Sequence, residues 1–322
     1  MRRRDLMMLL GGTAFMAPVL ARAQAQHVRR VGVLAPGPLR PIASFKQRLK
    51  ELGWVEGETI EYEARWGAED DSRYASFAAE LAALPVDVFL TWSTPAALAA
   101  KQATTKIPIV MGAIADPVAA GVVTELAHPG SNITGFSSQN FELEEKRFEL
   151  LRELAPSATR IVMLGNAGNP YSALALKHIN KLATSAGLNF EGINIDESGG
   201  LENGLERLRR AYPDGVLVPG VPALLVYRKP IADFMAVNRI PAVYPWPEFA
   251  EAGGLAVYST NFDDLFRQAA GYVDKVLRGV APGELAVQQA ATFELVINMR
   301  AAKALELTIP PVLLVRADEV IE

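Results

Sequence analysis

The stretch 86–117, VDVFLTWSTPAALAAKQATTKIPIVMGAIADP, constrains the fold more than any other, because it passes twice from a buried-strand pattern into a helix start. Val86, Val88, Phe89 and Leu90 form a short apolar run, ending at Thr91, that fits a parallel strand covered on both faces. Ser93 or Thr94 then offers a cap, and Pro95 takes the first helical position, where its missing N–H costs nothing. Residues 96–103 propagate the helix well. Residues 107–114 supply the next strand, and Asp116-Pro117 repeats the cap-plus-proline device, predicting a helix from about Val118. Two adjacent strands thus end in loops that turn free backbone N–H groups toward one place. In open α/β sheets that carboxyl edge is where ligands bind, and helix N-termini there favour anions.

The same alternation runs through the rest of the chain. Strand 30–35 enters Pro36-Gly37-Pro38, helix 42–52 puts Phe45, Leu49 and Leu52 on one face, strand 59–66 and helix 74–84 follow, and 133–136 is a further strand. A second block begins after helix 142–154. Its strand 160–164 leads to Asn169-Pro170-Tyr171, a third cap-plus-proline start, and strand 215–218 ends at Pro219-Gly220. Strands 190–195, 240–244 and 254–259 and helices 201–210 and 227–238 complete it, with Pro245-Trp246-Pro247-Glu248 closing the strand at Tyr244. Right-handed crossovers make each block a parallel sheet flanked by helices, with a ligand cleft between the two. The expected boundaries are 28–137 for an N-terminal lobe and 138–260 for a C-terminal lobe. The tail 261–322, with a helix at 263–277 and a strand at 293–298, is expected to cross back between them.

Composition removes several function classes. A chain of 322 residues with 50% hydrophobic content can bury a large core, and its formal charge of −4 gives no support to a nucleic-acid partner. The absence of cysteine excludes disulfides, thiolate metal sites and cysteine nucleophiles, and His27, His128 and His178 are too scattered for a histidine metal site. No cofactor is expected. Arg2-Arg3-Arg4, the apolar stretch 6–19 and Ala21-Arg22-Ala23 read as a signal peptide cleaved near Ala23. Arg3-Arg4 also fits a twin-arginine pattern loosely, so export by that route or the Sec route is open. No later stretch reaches about 18 apolar residues, and a soluble exported protein without stable membrane insertion is expected.

Val31-Gly32-Val33-Leu34, Leu49-Lys50-Glu51-Leu52-Gly53-Trp54-Val55-Glu56-Gly57, Thr94-Pro95-Ala96-Ala97, Ile107-Pro108-Ile109-Val110, Asp116-Pro117-Val118, Phe293-Glu294-Leu295-Val296-Ile297-Asn298 and Arg316-Ala317-Asp318-Glu319-Val320-Ile321 stand in order along the chain. In these it resembles the ABC-transporter substrate-binding proteins of the tryptophan/tyrosine-type group. The resemblance implies a type I periplasmic-binding fold, α/β with two Rossmann-like lobes joined by crossover strands and closing on a small ligand. It also implies a periplasmic location and ABC permease subunits of the inner membrane as partners. Carried onto this sequence, ligand contacts fall at Ser93-Thr94, at Asp116, at Asn169 to Tyr171 and at the strand ends near Gly220 and Tyr244. This chain departs from the group in two places: Ser93, after a large Trp92, stands where glycine is usual, and the run to Trp246 and Glu248 lacks the usual arginine.

An amino acid or small carboxylate suits these residues. The N–H groups of Ala96 and Ala97 with the hydroxyls of Ser93 and Thr94 could hold a carboxylate, and Asp116 an ammonium, although helix capping alone also accounts for these residue types. Trp92, Tyr171, Tyr244 and Trp246 offer rings for stacking or for lobe packing, and Glu248 is either a ligand contact or a first-turn helix charge. The enzyme alternative is an exported hydrolase or amidase in the same cleft. Nucleophile-elbow, P-loop and zinc-protease motifs are all missing.

Overall fold

The computed structural model describes residues 28–38, 40–67, 70–195 and 200–322, so the expected signal peptide lies outside the described residues. Thirteen strands among them build two sheets. The first lobe opens with β1 (Arg29–Ala35), β2 (Ile60–Trp66), β3 (Val88–Trp92), β4 (Ile109–Ile114) and β5 (Ile133–Ser137). The second contains β6 (Arg160–Gly165), β7 (Asn189–Asn194), β8 (Gly215–Leu217), β9 (Ala242–Tyr244) and β10 (Ala256–Thr260). The remainder of the chain supplies β11 (Gln288–Gln289), β12 (Phe293–Asn298) and β13 (Glu319–Ile321). Strand order is β11-β5-β4-β3-β1-β2 in one sheet and β13-β12-β10-β9-β8-β6-β7 in the other. Pairing among the described strands is parallel except where β12 runs antiparallel to β10.

Parallel sheets need cover on both faces, and the core follows that need. Every residue of β3, β4 and β5 is buried. On one face of the first sheet Phe45 and Leu49 pack with Phe266, Ala269 and Val273; on the other Ala96, Ala97 and Ala100 pack with Tyr74 and Leu81. The alanines allow helix Thr94–Ala103 to lie close to the sheet.

The chain passes between the lobes three times: after β5, after β10 and between β11 and β12. Helix Phe262–Leu277 belongs to the first lobe, packed on helix Arg40–Glu51, whereas β12 and β13 complete the second sheet. Hydrogen bonds tie the three crossings together. Thr260 Oγ1 donates to the Ser138 carbonyl at 2.9 Å, Asn261 N–H to the Thr292 carbonyl at 3.0 Å, and Ala290 N–H to the Ser137 carbonyl at 2.9 Å.

Two local expectations are corrected. The strand expected to stop at Thr91 runs on to Trp92, because Thr91 and Trp92 are buried too and the indole packs on Phe262 and Phe266, with ring centroids 5.8 and 5.2 Å away. No helix follows Asp116-Pro117. Asp116 Oδ1 does accept from the amides of Val118 and Ala119, but the Pro117 carbonyl takes the amides of both Val122 and Val123, and Gly121 is left-handed at φ 69°, so the chain closes one turn and leaves. The helix expected over 227–238 is present as Arg228–Val237, preceded by a separate short helix, Pro222–Leu225.

Candidate functional site

Between the lobes lies a cleft lined from the first lobe by Trp92, Ser93, Thr94, Ala113 and Ala115, and from the second by Asn169, Tyr171, Gly220, Pro222 and Trp246. Ser138 and Phe262, from two of the crossings, form its floor. Counted out to its mouth the cleft measures about 340 Å³, but the free core is about 20 Å³, room for about one water. The two lobes are therefore closed on each other. Asn169 reaches across to the first lobe, its Nδ2 donating to Asp71 Oδ2 at 3.5 Å.

Each wall is placed by a recognisable local device. The pairing of β3 with β4 shifts register between Thr91 and Trp92, so that Trp92 faces Ala113 and the chain turns sharply at its end. Ser93 follows at φ 88°, ψ 148°, a conformation that glycine adopts freely and other residues adopt under strain. Its Oγ accepts from Ala96 N–H at 3.4 Å, and its carbonyl accepts from Ala97 N–H at 3.1 Å. Those two amides are therefore engaged within the helix cap. Ser93 and Thr94 themselves line the cleft, at the N-terminus of this helix. In the second lobe Asn169 Oδ1 caps helix Pro170–Ser185 by accepting from Tyr171 N–H at 3.0 Å, so a second helix N-terminus faces the first across the cleft.

Seven of the sequence-predicted residues meet at this surface: Trp92, Ser93, Thr94, Asn169, Tyr171, Gly220 and Trp246. Four lie outside its lining. Ala96 is buried behind the cap. Asp116, one residue past the lining Ala115, spends Oδ1 on the Val118 and Ala119 amides. Tyr244 is a core residue, stacked on Phe249 at 4.9 Å, and burial pushes its hydroxyl well above the ordinary range. Glu248 is half-buried, and burial raises its carboxyl, opposed by the charge of Arg40. Sequence reasoning missed Ala113, Ala115, Ser138, Pro222 and Phe262. For Phe262 the signal was present, since it follows the carboxyl end of a strand, but it also reads as the start of a tail helix.

Among the described residues that line it there is no charged side chain. Tyr171 is the one titratable group among those described residues, and burial pushes that hydroxyl well above its ordinary range. Such a surface offers dipoles, hydroxyls and aromatic faces to a ligand.

The sequence pattern of the ABC transporter substrate binding protein family matches residues 31–321. This chain belongs to that family. A tyrosine-binding protein of Clostridioides difficile (strain R20291) is 28% identical over 264 residues, covering 82% of this chain and 75% of the relative. The ABC domain of Streptococcus pneumonia solved in complex with L-Trp is 25% identical, with a TM-score of 0.83 over 91% of this chain and 100% of that one. The ligand-free, open structure of a substrate binding protein with adhesive properties from Clostridium difficile is 26% identical, with a TM-score of 0.65 over 88% and 97% of the two chains. At nearly the same identity, 25% against 26%, this substrate-binding protein superimposes better on the L-Trp complex than on the open form, in keeping with its narrow cleft. Its fold is that of the type I periplasmic-binding proteins. No helix among the described residues is long and apolar enough to cross a membrane.

Proposed function

We propose that this substrate-binding protein captures an amino acid with an apolar or aromatic side chain, or a small aromatic carboxylate, between its lobes and delivers it to ABC permease subunits after export to the periplasm. One observation carries the reading: two helix N-termini from opposite lobes face a cleft whose lining, among the described residues, is aromatic and hydroxyl-bearing but uncharged. A ligand carboxylate would sit at Ser93 and Thr94, where two hydroxyl protons and the helix dipole favour an anion. Trp92, Phe262 and Trp246 would cover an apolar body, each ring supplying a large contact area at low rotamer cost. Asp116, at the rim, would meet a ligand ammonium only by giving up its turn contacts. The tyrosine-binding relative and the L-Trp complex support the amino-acid class.

The test is a thermal-shift panel on the purified mature protein, including L-tryptophan, L-tyrosine, L-phenylalanine and hydroxybenzoates. A saturable rise in Tm with one or a few of these is expected, and Thr94→Val should remove most of it while leaving the unliganded Tm within a few degrees. A panel with no shift, together with measurable amide or ester hydrolysis, would favour the enzyme reading instead.

A further inference from the structure

Behind the second lobe's cleft wall lies a buried ion pair that ligand contact does not explain. Glu144 and Arg147 sit one turn apart on helix Asn140–Leu154, with side chains 0% and 1% exposed. A single carboxylate oxygen of Glu144, Oε1, accepts from the Tyr171 hydroxyl at 2.8 Å and from the Gly220 N–H at 3.0 Å, and lies 2.9 Å from Arg147 Nη1. Among the described residues neither Oε2 nor Arg147 Nη1, both buried, makes a hydrogen bond, so Glu144 and Arg147 meet as an ion pair. Arg147 Nε donates to the Tyr258 carbonyl at 2.8 Å, on β10, two residues before Thr260 and its bond to Ser138. One polar chain, fully buried at Glu144 and Arg147, therefore runs from two residues of the cleft wall to the hinge and back to the cleft floor.

Hydrophobic packing alone would dispense with such a pair, since buried charges of this kind seldom add net stability over apolar residues of the same volume. Geometry supplies a reason for it. Tyr171 begins a helix, Gly220 ends the segment after β8, and Glu144 is the group that fixes their separation. We infer that Glu144 is a positioning residue for the cleft, holding Tyr171 and Gly220 in register with the hinge strand through Arg147. This rests on the ligand-binding reading above. With its donors fixed in this way, the wall would present the same surface each time the lobes close, and a shift of the hinge strand would be felt at the wall.

Two conservative variants separate positioning from charge pairing. Glu144→Gln keeps an acceptor oxygen at the Oε1 position, with the amide nitrogen falling where Oε2 has no partner, but leaves Arg147 without its counter-charge. Glu144→Asp keeps the charge and withdraws the oxygen from Tyr171 and Gly220 by about the length of one carbon–carbon bond, beyond hydrogen-bond reach. Affinity for L-tryptophan and L-tyrosine would be measured by titration calorimetry, alongside Tm and amide exchange at Gly220. For positioning, Glu144→Gln should bind within about threefold of wild type despite a lower Tm, while Glu144→Asp should bind about tenfold or more weakly and exchange its Gly220 amide faster. If affinity instead follows Tm, with the Gln variant the worse binder, or if both variants bind as wild type does, the inference is overturned. Should neither amino acid bind the wild-type protein, the ligand reading fails, and the Gly220 exchange rates alone decide: faster in the Asp than in the Gln variant upholds positioning, and equal rates reject it.

Discussion

Ser93 concentrates the conflict between stability and function at the scale of one residue. Its φ of 88° suits glycine, the residue usual at this place in the group the sequence resembles, yet here a hydroxyl is held in the cleft. Such conformations cost about 1–3 kcal/mol, offset in part by the greater chain entropy a glycine would lose. Ser93→Gly is therefore expected to raise the unliganded Tm by a few degrees in a thermal melt and to weaken ligand binding in calorimetry. Carboxylates elsewhere set the response to pH. Glu51 is held down to about 2 by hydrogen bonds from Arg267 and then Arg48, so its stabilisation is present above its unfolded value near 4.5 and is lost as pH falls through about 2. Burial raises Glu248 and Glu294, so the folded protein binds their protons more tightly, and stability falls as pH climbs from about 4.5 through their raised values. A Tm series across acid and neutral pH should thus show a mildly acidic maximum. Glu51→Gln should flatten its acid limb, and Glu294→Gln the limb on the neutral side.

Among the elements, helix Phe262–Leu277 links fold and site most directly. It covers the first sheet, starts at the second lobe-to-lobe crossing, and brings Phe262 to the cleft floor and Phe266 against Trp92. Gly112 in β4 admits the Phe266 ring, since a Cβ there would meet it at 2.8 Å. Phe266→Ala is expected to cost about 3–5 kcal/mol in urea unfolding and to lower ligand affinity by freeing Trp92. This helix also marks where the sequence was legible and where it was not. Its apolar face and Asn261-to-Asp264 start are local signals, and so were β3, helix Thr94–Ala103 and the caps at Ser93 and Asn169. Its membership of the first lobe was not readable, because that depends on packing between residues over 200 positions apart, such as Ser44 with Asp263. The missing helix after Asp116 fails for a related reason. Cap chemistry specifies a start, but Gly121 and the double claim on the Pro117 carbonyl decide whether a helix continues. Likewise Tyr244 looked like a strand-end ligand contact, and only its stacking on Phe249 shows that its ring faces the core.

At the scale of the whole molecule, two lobes joined by three hydrogen-bonded crossings are closed over a cleft with about 20 Å³ of free core. An amino acid cannot enter that space, so binding requires an open form, and closure gains free energy only from a ligand that touches both lobes. The cleft meets that condition, with Ser93 and Thr94 on one side and Asn169, Tyr171 and Trp246 on the other. Export adds a separate expectation: exchanging Arg3-Arg4 for Lys-Lys should block secretion, followed by cell fractionation, if the twin-arginine route is used, and leave it unchanged if the Sec route is. The most direct test of ligand capture by closure is small-angle X-ray scattering of the mature protein with and without L-tryptophan or L-tyrosine, at concentrations that saturate the thermal shift. The radius of gyration should fall on addition of the bound amino acid and stay unchanged in Thr94→Val. An equal radius in both states, with the ligand demonstrably bound, would contradict capture by closure.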